Sequence, residues 1–131
     1  MEIIYVYSTE TLKHPKTIHK PTGDVNYKAW FKIGMTTQIT ADDRVLEQDR
    51  TANPEKLQIL HRFDIVAAGH TMKAYDLEQK IHKILDRSGR RVRKNREWFE
   101  FDGNCDKAID EIKKLIETIL DDSDVNKKDI L

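Results

Sequence analysis

The sequence has 131 residues, with 23 lysines and arginines against 23 aspartates and glutamates, and 38% of its residues are hydrophobic. That length suits one domain able to bury a core without cross-links, and the lone cysteine, Cys105, excludes an intramolecular disulfide framework and any multi-cysteine zinc site. No apolar run is long enough to span a membrane, and Met1-Glu2-Ile3-Ile4-Tyr5 shows no basic-then-apolar leader, so a cytoplasmic domain with no membrane partner is expected.

Taken in chain order, Ile3-Ile4-Tyr5-Val6-Tyr7 is a β-rich run. Thr9 to Tyr27 has turn and loop chemistry, with Pro15 and Pro21, and reads as a long insertion at about 9–27. Strand character returns from Tyr27 to Met35, and the two runs suit an antiparallel hairpin with that long connection. Thr40 and Asp43 resemble a capping box and predict a short helix through Arg44, Val45 and Leu46, ended before Asn53-Pro54. Leu57, Ile59, His61, Phe63 and Ile65 alternate as in a strand. Ala74, Leu77, Ile81 and Leu85 recur at helical spacing over Met72 to Arg87. Trp98 to Phe101 is a short extended segment. From Asp106 an amphipathic stripe runs through Ile112, Ile116 and Leu120 to about Asp121. The expected fold is α+β: a small three-stranded, largely antiparallel sheet flanked by helices. Residues 1–121 form the expected domain, and 122–131 read as a tail or the start of a linker.

The zero net charge hides an uneven distribution. Arg87, Arg90, Arg91, Arg93, Lys94 and Arg96 fall in one stretch without an acid, and Lys13, Lys16, Lys20, Lys28 and Lys32 face Asp24 alone. Such stretches suit either phosphate binding or a solvated surface.

Several side chains can carry chemistry. Glu78 lies at the edge of its helix's apolar stripe, and His82, four residues on, shares its face. A carboxylate held there suits a hard divalent cation, and equally an ordinary pair with His82 or an exposed position with a packed stem. Arg44, near a helix start, can serve a phosphate or a surface ion pair. Tyr5 and Tyr7 point to one side of their strand, as core aromatics or as proton-transfer groups. Trp30, Trp98 and Phe99 read as core. Cys105 reads as an incidental thiol, and His61, His70 and His82 are too loosely spaced for a metal cluster. There is no Gly-rich phosphate loop and no zinc-protease helix.

In order, Ile3-Ile4-Tyr5, Phe31-Lys32-Ile33-Gly34-Met35-Thr36, Arg44, Leu77-Glu78 with Ile81-His82, and Arg96-Glu97-Trp98-Phe99 resemble the GIY-YIG nuclease superfamily. The nearest branch is the phage and bacterial one whose second motif reads Lys-Ile-Gly-x-Thr, and the resemblance spans about residues 3–101. It implies a three-stranded antiparallel sheet flanked by helices and cleavage of DNA phosphodiesters with a divalent metal, Mg2+ or in its place Mn2+. It implies that Tyr5 helps to activate the attacking water, that Lys32 and Gly34 hold the second motif, that Arg44 contacts the scissile phosphate and that Glu78 binds the metal. Arg90, Arg91, Arg93, Lys94 and Arg96 are the expected DNA contacts. The chain departs from the pattern at Ile3, which replaces a glycine, at Lys32, which replaces a tyrosine, and in the length of the connection between them. Tyr7 is the alternative if the alignment slips along the strand.

Three functions fit: a metal-dependent DNA endonuclease, a non-catalytic nucleic-acid-binding module on the same scaffold, or a protein-interaction domain. The size leaves little room for a separate specificity domain. Target recognition then falls to the long insertion and the Arg87–Arg96 segment, or to additional domains or a protein partner.

Overall fold

A computed structural model describes residues 1–37, 56–92 and 97–130, with side chains through Ser123. Its centre is β1 (Ile3–Ser8), buried along its whole length, which pairs antiparallel with β4 (Ala29–Thr36) on one side and β5 (Gln58–Asp64) on the other. A strand covered on both faces is expected to read as a continuous apolar run, as Ile3-Ile4-Tyr5-Val6-Tyr7 does. β6 (Phe99–Phe101) adds to the outer edge of β4, giving the order β5-β1-β4-β6.

Among the described residues the fold is therefore α+β, with a four-stranded antiparallel sheet rather than the expected three-stranded one. The difference lies in Phe99-Glu100-Phe101, which pairs with Phe31, Trp30 and Ala29. So short a segment shows too little alternation to be read as a ladder strand from sequence. The segment 9–27, which reads as loop by sequence, also contains regular structure. β2 (Lys16–Ile18) and β3 (Val25–Tyr27) form a separate two-stranded antiparallel ribbon. Its turn is closed by the Gly23 amide donating to the Lys20 carbonyl at 3.0 Å, with Gly23 at φ +119°, a region open to glycine.

The period-two alternation of β1 divides the molecule. Ile4 and Val6 join Phe31, Ile33, Phe99 and Phe101 in the main core, closed by helix α1 (Ala74–Arg87) and helix α2 (Cys105–Ile130). Helix α1 contributes Ala74, Leu77, Ile81 and Leu85, and α2 contributes Ala108, Ile112, Ile116, Ile119 and Leu120, the residues of the two predicted stripes. Tyr5 and Tyr7 face the other way, into a second cluster with Leu57, Val92 and Trp98. Each leucine or isoleucine fully buried in the main core is worth about 1.5–3 kcal/mol of transfer free energy.

Helix ends are fixed by side chains distant in sequence as well as local ones. The α1 N-terminus is capped by Glu2: the Ala74 amide donates to its Oε2 at 3.0 Å, placing a carboxylate at the positive end of the helix dipole. At the other end Gly89, at φ +73°, turns the chain so that the Arg90 amide donates to the Leu85 carbonyl. Asn104 caps α2 through its Oδ1, which accepts from the Lys107 amide at 2.9 Å. Helix α2 continues past Asp121 to Ile130, through the segment read as a tail. The predicted helix around Arg44 lies outside the described residues. No helix of the described residues is long and apolar enough to cross a membrane.

Candidate active site

The site forms where β4 loses its edge partner. β6 pairs only with Ala29–Phe31, so the part of β4 from Lys32 onward has no strand on that side among the described residues. Helix α1 lies there instead, and the Nε2–H of His82 donates to the Ile33 carbonyl at 2.8 Å. That bond satisfies an edge carbonyl and fixes the tautomer, because a carbonyl can only accept. The His82 ring also packs on Phe99, with centroids 5.1 Å apart. Glu78, one turn earlier on the same helix, is thereby carried to the same place and is half-buried.

A cavity of about 220 Å³ opens at this junction. Its strand wall is Tyr5 and Tyr7 of β1 with Lys32 and Gly34 of β4. Its helix wall is Glu78 and His82, and Arg91 and Glu97 stand at its rim. Three of the expected catalytic residues, Tyr5, Lys32 and Glu78, thus converge from separate elements. Arg44 lies outside the described residues.

The strand wall follows from register. Tyr5 is paired with Gly34 and Tyr7 with Lys32 across the β1–β4 ladder. The two tyrosine rings, at positions i and i+2, have centroids 5.0 Å apart. Tyr5 is fully buried, and Lys32 is only 7% exposed. A buried ammonium needs compensation, and Lys32 has it. Its Nζ donates to Glu97 Oε2 at 2.9 Å and lies 5.1 Å from the Trp98 ring centroid and 5.8 Å from that of Tyr7. Glu97 itself is three-quarters exposed, so it can leave Lys32 for an incoming anion at modest cost.

The five basic residues expected to meet DNA divide in two. Arg93, Lys94 and Arg96 lie outside the described residues. Arg90 pairs with Glu111 and lies over the Phe101 ring, while Arg91 donates from Nε to Asp86 at 3.2 Å and lies over Phe99. Both are tied to the body of the domain, and Arg91 still reaches the cavity rim. The backbone holds this corner: the Val92 amide donates to the Trp98 carbonyl and the Glu100 amide to the Arg90 carbonyl.

Among the described residues there is no group of three histidine, cysteine, aspartate or glutamate side chains able to enclose a metal. The donors present are two carboxylates at one cavity, Glu78 and Glu97. Such a set does not fit a closed zinc centre. It does fit a hydrated hard cation of the Mg2+ type, which binds through one or two carboxylates and completes its shell with water and phosphate oxygens. Cys105 does not belong to the site, and burial pushes its thiol up from the usual value, away from the reactive thiolate.

By sequence Arg91 reads as a DNA contact, and nothing marks Glu97 as the partner of Lys32. The two lie 65 positions apart, and no local spacing connects them. The signal available was chemical: a lysine inside an apolar strand requires a carboxylate or an aromatic cage somewhere in the fold.

A family model described as the T5orf172 domain matches residues 2–120 of the chain. No curated protein and no solved structure matches it.

Proposed function

The chain belongs to the T5orf172 domain family, and from that premise we propose that it is a metal-dependent DNA endonuclease of the GIY-YIG type. The family is associated with nuclease and DNA-binding roles, which supports a DNA-related function. The observation that carries the finer reading is the convergence of Tyr5, Lys32 and Glu78, with Arg91 beside them, on one cavity. These residue types suit phosphodiester hydrolysis and come from four segments of the chain.

In this reading the scissile phosphate enters the cavity and takes the place of the Glu97 carboxylate on Lys32. Lys32 and Arg91 then hold the phosphate oxygens and stabilise the charge that builds up during in-line attack by water. Arg44 is the further guanidinium that the resemblance assigns to the phosphate. Tyr5, with Tyr7 beside it, is the group that the resemblance assigns to the proton of the attacking water. Glu78 would hold a divalent cation, Mg2+ or Mn2+, which when bound supplies a Lewis acid and a counter-charge at the phosphate. His82 keeps Glu78 and β4 in register. Arg93, Lys94 and Arg96, expected from the sequence to meet DNA, add phosphate contacts in this reading and increase affinity in a salt-dependent way.

The test is nicking of supercoiled plasmid with Mg2+ or Mn2+, comparing the wild type with Glu78→Gln and with an EDTA control. Glu78→Gln preserves shape and removes the negative charge, so metal-dependent cleavage is expected to fall by at least a hundredfold while the melting temperature holds. Cleavage unchanged in Glu78→Gln would remove Glu78 from the site. A folded wild type that binds DNA and never cuts it would instead mark a non-catalytic binding module.

A further inference from the structure

We propose that the β2–β3 ribbon carries a second nucleic-acid site, an apolar slot that takes one unstacked base of a DNA strand leading into the catalytic cavity. This rests on the DNA reading above and extends it to the state of the substrate.

Strand register sorts the ribbon into two unlike faces. Lys16 pairs with Tyr27 and Ile18 with Val25, so these four share one face. Thr17 and Asn26 form the other and satisfy each other, the Thr17 hydroxyl donating to Asn26 Oδ1 at 3.0 Å. The apolar face is not closed by the core: Ile18 is 42% and Tyr27 43% exposed. Facing it is a cavity of about 240 Å³ with a floor of Leu12 and Trp30 and a rim of His14, Lys16 and Lys28. The floor is fixed by the Trp30 amide donating to the Leu12 carbonyl at 2.7 Å.

The chemistry of the slot selects its occupant. An aromatic and aliphatic lining suits a flat hydrophobic ring, and a rim of lysines suits an anion attached to it. A nucleotide carries both, and base–aromatic stacking beside cationic side chains is the usual means of holding single strands. The surroundings reinforce the sign, because the segment from Lys13 to Lys28 has four lysines and one acid, Asp24, which is tied to His19 at 2.8 Å. Lys28 meets Asp102 at 3.5 Å with both side chains exposed, a pair that a phosphate can replace.

Position connects the slot to the reaction. Trp30 alternates with Lys32 and Gly34 on one face of β4, so slot and catalytic cavity lie on the same side of the sheet, Trp30 standing about 7 Å from Lys32 and about 13 Å from Gly34 along the strand. Trp98 bridges them, 6.4 Å from Trp30 and beneath the Lys32 ammonium. A strand whose base sits in the slot has its next phosphates directed toward Lys32.

The experiment is fluorescence anisotropy of a labelled single-stranded oligonucleotide, and of the same sequence fully paired, with the full chain in EDTA so that nothing is cut. Wild type is expected to prefer the single strand. Tyr27→Ala should weaken single-strand binding about tenfold and abolish the preference, while Tyr27→Phe, which keeps the stacking face, should bind like wild type. Lys16→Ala should lower the salt slope by about 0.7. Both Tyr27 variants should melt like wild type, since the side chain is exposed. Equal single-strand binding by wild type and Tyr27→Ala would overturn the slot and leave the nuclease reading standing. No binding of either DNA by wild type would overturn the slot and the DNA reading together, and the plasmid assay reports on catalysis separately.

Discussion

The ring of Tyr5 lies so close over Gly34 that a β-carbon at position 34 would sit 2.8 Å from both its Cζ and its hydroxyl oxygen. Real β-carbons do not approach that closely, and the atoms in the way belong to a fully buried ring flanked by Tyr7. Gly34 is thus required for the space it leaves, with no need for an unusual backbone conformation. The glycine of the second motif and the tyrosine of the first form a single packing unit across the β1–β4 ladder.

Gly34→Ala is accordingly expected to displace Tyr5. It should destabilise the domain by roughly 1–3 kcal/mol in urea unfolding, the usual range for overpacking a core. Cleavage should fall beyond what the stability loss explains. Gly34→Ala with unchanged unfolding and unchanged activity would show that Tyr5 has room to move without consequence.

His82 ties the two walls of the cavity together through its bond to the Ile33 carbonyl. His82→Ala leaves that edge carbonyl to water and removes the packing on Phe99. Loss of such a bond costs about 1 kcal/mol. Since the bond fixes where Glu78 stands relative to Lys32, kcat is expected to drop more than DNA affinity measured in EDTA. Equal loss of both would place His82 in contact with DNA instead.

His61, paired with Val6 on the far side of β1, supplies a pH signature of folding. Burial, and secondarily the nearby positive charge of Lys113, lowers its pKa below the usual histidine value of about 6.5. Its Nε2 is enclosed with no hydrogen-bond partner among the described residues. As pH falls below the usual value, the unfolded chain takes up a proton that the folded one resists, so stability declines until the depressed folded pKa is passed. Above about pH 6.5 both states are neutral and the effect vanishes. Urea unfolding between pH 7 and pH 5 is expected to show a steeper loss for wild type than for His61→Gln, and identical slopes would exclude this histidine as the cause.

Much of the fold is legible along the chain because its signals are local. Ala74, Leu77, Ile81 and Leu85 recur at helical spacing, and the stripe from Ala108 to Leu120 does the same, so both helices follow from periodicity. The apolar run of β1 marks a central strand in the same way, and the alternating Leu57, Ile59, His61, Phe63 and Ile65 mark β5 beside it at the sheet edge. Glu78 stands out at the edge of its stripe, and Tyr5, Lys32 and Gly34 through their resemblance to two motifs. The ribbon β2–β3 and the edge strand β6 are too short for a period to show.

What no local pattern contains is which distant groups meet. That Glu2 caps α1, that His82 bonds Ile33, that Glu97 neutralises Lys32 and that Gly34 makes room for Tyr5 all depend on sheet register and on α1 lying along the open edge of β4. Amino-acid identities and spacing determine which face of each element is apolar, since that follows from the geometry of a single helix or strand. The choice of partners across the cavity belongs to the assembled fold, where one arrangement buries the apolar faces of the main sheet and both helices at once and brings the polar residues left at the edges together.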